Sequence, residues 1–249
     1  GEPLVASLAL RALGASPAAS ICRGSFEGGD FIPLGDAALL GCGSRTDETG
    51  VAALLAAGPG CDEVAVVQEP HHPLINGYDP MVCMHLDTYC NIAAPNVAVG
   101  SPLLLRAAKV TVWIREGKTY RPSGEESDLE GYLISRGYTV LPLSTLEQLC
   151  YAANFLAIRE GTCISPDTRS IAPVVLSALK EKARRLPGRY GKLLAQAEHE
   201  YGRQASSGEF FPDTPAVREH NLSMTPIELT NATGGYGGAH CMTCVLSRR

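Results

Sequence analysis

Three short stretches hold residue types that can do chemistry. The last, GGYGGAHCMTC at positions 234–244, brings four glycines up to His240, Cys241 and Cys244. The Cys-x-x-Cys spacing is that of a zinc half-site or a redox dithiol. No second such pair exists in the chain, and only five residues follow this one. A third reading is a nucleophile: glycines let the backbone approach a ligand closely and leave amide hydrogens free to polarise it. Cys241, directly after the loop, is then the candidate, and Cys244 reads as a small buried hydrophobe. The stretch MHLDT, 84–88, read as a strand, points His85 and Asp87 to one face, an imidazole beside a carboxylate. Imidazole moves protons near neutral pH, and a carboxylate holds a cation. The stretch EGGD, 27–30, sets Glu27 and Asp30 around two glycines at a strand entry, a pattern that a simple turn also produces. His71 and His72 read as a solvated loop before Pro73.

These side chains need a frame. Residues 19–26 read as a strand, then 31–34 and 38–41 as two strands joined at Gly35-Asp36. Ser44 or Thr46 can cap the next helix, which buries Val51, Leu54 and Leu55 and ends at Gly58-Pro59-Gly60 before a strand at 64–67. The same order returns about 124 positions later. Asn154-Phe155-Leu156 leads into paired strands around Glu160-Gly161, and a helix starts near Ser170. Residues 81–100 look like a third, looser copy of the paired strands, so the pattern is that of an internally repeated α/β protein. A charged amphipathic helix is expected over 123–136, a strand at 138–141, and a helix followed by a Pro-containing loop over 189–220. That last segment reads as an insertion, a lid or an interface. The opening EPLVASLALRAL reads as a helix with Leu4, Leu8 and Ala12 on one face and no capping residue ahead, as if the chain were the later part of a longer protein.

Composition narrows the class. The 249 residues are 45% hydrophobic and 19% charged, enough for a sizeable core, with a net charge of −5. Without a basic cluster there is nothing to attract nucleic acid or an anionic membrane. No continuous apolar run approaches the roughly 18–20 residues of a membrane span, and the expected location is the cytoplasm. Nine cysteines, an odd number spread over apolar runs, are expected to be mostly reduced and buried. No cofactor and no metal is expected.

Taken in order, Glu27-Gly28-Gly29-Asp30, Ser44-Arg45-Thr46, Met84-His85-Leu86-Asp87-Thr88, Ala153-Asn154 and the run Gly238 to Cys244 resemble the arginine deiminases, over about residues 1–175 and 224–246. The resemblance implies the guanidine-modifying fold, a pseudo-fivefold α/β propeller of ββαβ-type modules. It also implies a single catalytic domain over 1–249 with 189–220 inserted. By the same resemblance Cys241 attacks the guanidinium carbon, ammonia leaves, and water hydrolyses the adduct on sulfur to a ureido product. His85 serves as acid and then base, Glu27 holds the imidazole, and Asp87 orients the planar cation. Arg45 pairs with the substrate carboxylate, while Asn154 and the Gly238 loop bind the amino-acid end.

Two departures bear on substrate. The family's first clamping aspartate lies in an Arg-Asp segment upstream of where this chain begins, so the first blade is expected to be largely missing, with a homo-oligomer or a partner supplying the segment. The family also carries an arginine five positions before the nucleophile, where this chain has Tyr236, which has no permanent charge. The expected substrate is arginine or another small guanidino compound. The competing readings are a non-catalytic homologue that only binds, and an amidinotransferase using the same cysteine, histidine and acids.

Overall fold

A computed structural model describes residues 2–15 and 19–245. After helix α1 (Glu2–Ala12), strands β1 (Phe31–Pro33) and β2 (Ala37–Cys42) form a hairpin, followed by α2 (Glu48–Ala57) and β3 (Glu63–Gln68). A second hairpin, β4 (Cys90–Ala94) and β5 (Val97–Gly100), leads into α3 (Pro102–Ala107) and then a long hairpin of β6 (Lys109–Glu116) and β7 (Thr119–Asp128). From there the chain continues through α4 (Leu129–Ser135), β8 (Thr139–Pro142) and α5 (Thr145–Leu149). The third hairpin, β9 (Leu156–Arg159) and β10 (Thr162–Pro166), precedes helices α6 (Thr168–Arg185), α7 (Pro187–Ser207) and α8 (Pro215–Glu219), strand β11 (Ser223–Ile227) and helix α9 (Thr230–Gly234).

Three sheets result among the described residues, and each is built on the same plan. An antiparallel hairpin is joined through helix to a strand that lies parallel to the hairpin's second member: β2 with β3, β5 with β8, and β10 with β11. The β6–β7 hairpin extends the first sheet to the order β1-β2-β3-β6-β7, while the other two have three strands each. The fold is therefore mixed α/β with repeated ββαβ units. Strand β2 is buried along its whole length, as a central strand covered on both faces must be. Leu39 faces the main core with Ala65 and Val67, and Ala38 and Leu40 face α2 with Val51 and Leu55.

Several local expectations change. Residues 19–26 form no regular element; Gly24 takes a left-handed φ of 71° and turns the chain in the middle of the run. The cap of α2 is Asp47, which accepts from the Gly50 N–H at 2.7 Å, and not Ser44 or Thr46. Residues 123–128 are strand, not helix, because the hairpin keeps pairing with β6 out to Lys109↔Asp128, where the Asp128 side chain caps the shorter α4. The paired segments around 189–220 include α8, where a loop was expected, and α7 buries Tyr190, Leu193 and Ala197 in the main core. The first helix forms where expected, but Leu4 and Leu8 stay exposed.

Candidate active site

The site begins with a buried acid. A short 3-10 turn, Gly28–Asp30, carries the chain into β1 and places Asp30 under the hairpin. Asp30 accepts the Thr46 hydroxyl at 2.7 Å and the Leu86 N–H at 3.1 Å, and Thr46 Oγ also receives the Glu27 N–H at 3.2 Å. Burial pushes the Asp30 pKa up to about 6 against the lowering effect of these bonds and of His85. Three loops distant in sequence are thereby tied at one carboxyl group, and Thr46 is part of this tie instead of a helix cap.

MHLDT is not a strand. Leu86–Thr88 forms a second 3-10 turn, so His85 and Asp87 owe their proximity to this turn and not to strand alternation. The Glu27 carboxylate lies 2.8 Å from His85 Nε2 and 3.2 Å from Arg45 Nε. An ionised carboxylate only accepts, so His85 Nε2 carries the hydrogen in this pair. Gly29 packs against both members of the turn: a β-carbon there would lie 2.9 Å from His85 Cγ and 3.0 Å from Asp87 Oδ1.

Asp87 is fully buried. Its Oδ2 accepts from His240 Nδ1 at 2.8 Å and lies 3.8 Å from Cys241 Sγ, while its Oδ1 is enclosed without a hydrogen-bond partner. A desolvated, unpaired carboxylate oxygen is costly and is ready to accept a donor. Beside it, Asn154 grips the cysteine at two points. Its Nδ2 is 3.0 Å from Cys241 Sγ, and its Oδ1 accepts the Cys241 N–H at 3.0 Å. The Gly238 backbone passes so close that a β-carbon there would lie 2.6 Å from Asn154 Oδ1. Cys241 is exposed as a whole residue, yet its sulfur is enclosed on the Asp87–Asn154 side. That burial raises its pKa first and the Asp87 charge raises it further.

The structure thus brings Glu27, His85, Asp87, Asn154, Gly238 and Cys241 into one neighbourhood, with Arg45 attached through Glu27. It also adds residues that sequence reasoning missed. His240 was quoted only as a neighbour of Cys241, and its bond to Asp87 depends on a turn that residue types do not announce. Asp30 looked like turn chemistry. Cys244 is exposed, contrary to the expectation of burial, because the chain turns outward after Thr243 bonds back to Ala239 and His240. His72 is buried, not solvated; its Nδ1 accepts the Leu74 N–H, and desolvation lowers its pKa to about 4. The cysteines at 42, 61, 83, 90 and 150 are buried and form no disulfide, and Cys163 is buried with its Sγ 3.8 Å from Ala93 O. Among the described residues no group of three or more His, Cys, Asp or Glu is placed to hold a metal ion. No described helix is long and apolar enough to cross a membrane.

Comparison with solved structures bears on the fold. AgrE bound to L-arginine superposes with a TM-score of 0.51 at 12% identity, over 90% of this chain and 23% of AgrE. Unliganded AgrE gives the same TM-score at 14% identity, over the same 90% and 23%. SxtG, an amidinotransferase from Microseira wollei in the saxitoxin biosynthetic pathway, gives 0.50 at 12% identity, over 92% of this chain and 47% of SxtG. At such identities the likeness concerns the fold alone. The chain spans about a quarter of the length of AgrE. No curated protein sequence matches it. The family model for arginine deiminase covers residues 12–248, and the chain belongs to that family.

Proposed function

We propose that the protein hydrolyses a small guanidino compound, with L-arginine the first candidate, through a covalent adduct on Cys241. The observation that carries the reading is Asp87 Oδ1, a buried acceptor with no partner, whose sister oxygen is 3.8 Å from the sulfur. A guanidinium N–H fits that acceptor and brings the planar carbon to the thiol. The incoming positive charge offsets the Asp87 charge that raises the Cys241 pKa, so substrate binding itself favours the thiolate. The thiol proton passes to His85 as the sulfur attacks the guanidinium carbon, the resulting imidazolium gives that proton to the leaving nitrogen, which departs as ammonia, and the neutral imidazole then takes a proton from the water that displaces Cys241 from the adduct. Glu27 fixes the ring and stabilises its charged form. Asn154 donates to the sulfur and holds the loop, and the terminal nitrogens of Arg45 are assigned to an anionic end of the substrate.

In this reading the three ββαβ units are blades of an incomplete five-bladed propeller forming one catalytic domain, and a segment from elsewhere supplies a second clamping carboxylate. The test is to incubate the purified protein with L-arginine and with smaller and larger guanidines, assaying ammonia and ureido product. The reading expects both products in equal amounts from at least one guanidine and none from Cys241→Ser. Full activity in Cys241→Ser would refute the covalent route, and amidino transfer to an added amine with no ureido product would replace hydrolysis by transfer.

A further inference from the structure

A cavity of about 170 Å³ lies beside the nucleophile loop, between α6, α7 and the end of α5. Its walls are mainly apolar, with Val82, Leu149, Val175, Leu179 and Leu193 among the lining residues. An apolar cavity of roughly 150 Å³ accommodates a benzene-sized molecule. One side of this cavity is Thr233, Gly234 and Tyr236, the entry to the loop that ends at Cys241.

Two polar residues in the lining set it apart from a packing defect. Gln148 and Tyr151 are both more than nine-tenths buried, and each has one polar atom that the fold leaves unbonded: Gln148 Oε1 and the Tyr151 hydroxyl. The orientation of the Gln148 amide is fixed by its own bonds. Nε2 donates to Val82 O at 3.0 Å and Thr88 O at 3.3 Å, and turning the amide over would set an oxygen against two carbonyls. Tyr151 also takes a left-handed φ, at 62°. Its phenol is close enough to Cys241, Tyr236 and Asp87 to feel the charge of each. Buried polar groups are ordinarily paired, and two orphans in one lining imply a missing partner. Lys182 on the same wall is already engaged with Asp79 Oδ2 at 3.6 Å, so an anion is not what the cavity lacks.

We propose that this cavity is a binding site for a ring-sized apolar group bearing one hydroxyl, which donates to Gln148 Oε1 and accepts from the Tyr151 hydroxyl. Such a group has two sources: the tail of a guanidino substrate whose reacting end sits at Cys241, or a separate small molecule that steadies residues 233–236. Only the first source rests on the function proposed above.

Phenol is the probe, with toluene as the analogue lacking a donor. Amide NMR of the purified protein should show saturable phenol shifts at residues 148–151 and 233–236. Tyr151→Phe should weaken phenol roughly three- to tenfold, the loss of one hydrogen bond, and leave toluene unchanged. Ala178→Phe, at an exposed position of α6 bordering the cavity, should abolish binding of both while the unfolding midpoint holds. Phenol that competes with arylalkyl guanidines and spares methylguanidine assigns the site to the substrate tail; an equal effect on kcat for all guanidines assigns it to a separate ligand. Because binding is read without turnover, an inactive protein that still binds phenol overturns the enzyme reading and not this one. Shifts scattered over the surface, or undiminished binding in Ala178→Phe, would overturn the proposal and leave the orphan atoms to water.

Discussion

Replacing Asn154 by Asp separates two functions of one side chain. The substitution preserves shape, so the close passage of Gly238 and the bond from the Cys241 N–H to Oδ1 are retained. At the second atom it turns a donor 3.0 Å from Sγ into a carboxylate oxygen. At that distance the repulsion between carboxylate and thiolate is about 5 kcal/mol at an effective dielectric of about 20. Cys241 is open to solvent on one side. Screening therefore reduces the figure to about a third, or ~2 kcal/mol, equivalent to roughly thirtyfold less thiolate. The readout is the second-order rate of iodoacetamide alkylation at pH 8.5, followed by mass spectrometry of the Cys241 peptide because Cys22 and Cys244 are exposed as well. Asn154→Asp should lower the Cys241 rate by ten- to thirtyfold and leave Cys22 unaffected. An unchanged or faster Cys241 rate would refute the claim that Asn154 donates to the sulfur.

Gly29→Ala forces a methyl against His85 and Asp87, so kcat should fall at least tenfold, with about 1–3 kcal/mol lost in denaturant unfolding from overpacking. Glu200 accepts the Leu146 N–H at 2.7 Å across α7 and α5; Glu200→Ala should cost ~1–3 kcal/mol by the same measurement, and Glu200→Gln much less. Asp30 and His72 give opposing pH slopes. Asp30 has a folded pKa of about 6 against 3.8, so its penalty is absent below pH 4 and grows to roughly 3 kcal/mol as pH rises through 6. His72, folded near 4 against 6.5, contributes stability that is complete above pH 6.5 and is lost, by a similar amount, as pH falls toward 4. Asp30→Asn should therefore steepen the loss of stability on acidification from pH 6 to 4, and a wild-type slope in that variant would show Asp30 is ordinary.

The paired strands were legible because their signals are local. Gly35-Asp36 and Glu160-Gly161 are turn chemistry between apolar runs, and both hairpins close there. The parallel third strands were harder to read. β11 gains its place by pairing with β10 across some 60 intervening residues, and nothing within SMTPI announces that. The acidic run at 123–128 was expected to belong to a charged helix but is strand, because it pairs with β6. In the candidate site, Glu27, His85, Asp87, Asn154 and Cys241 were singled out as a set only by the resemblance of their ordered motifs to the arginine deiminases. What was not legible was the wiring: Arg45 on Glu27, His240 on Asp87, and Asn154 bonded to both the sulfur and the backbone of one residue. Those bonds come from 3-10 turns and close glycine passages, which leave no periodicity to read.

The central claim is that Cys241 forms the covalent bond to a guanidinium carbon. Acid quenching of the protein during turnover of L-arginine or the best guanidine found, followed by peptide mass spectrometry, tests it directly. The account predicts an added mass equal to the substrate less ammonia on the Cys241 peptide, absent in Cys241→Ser. Ureido product formed with no such adduct, or with the mass on Cys244, would contradict it.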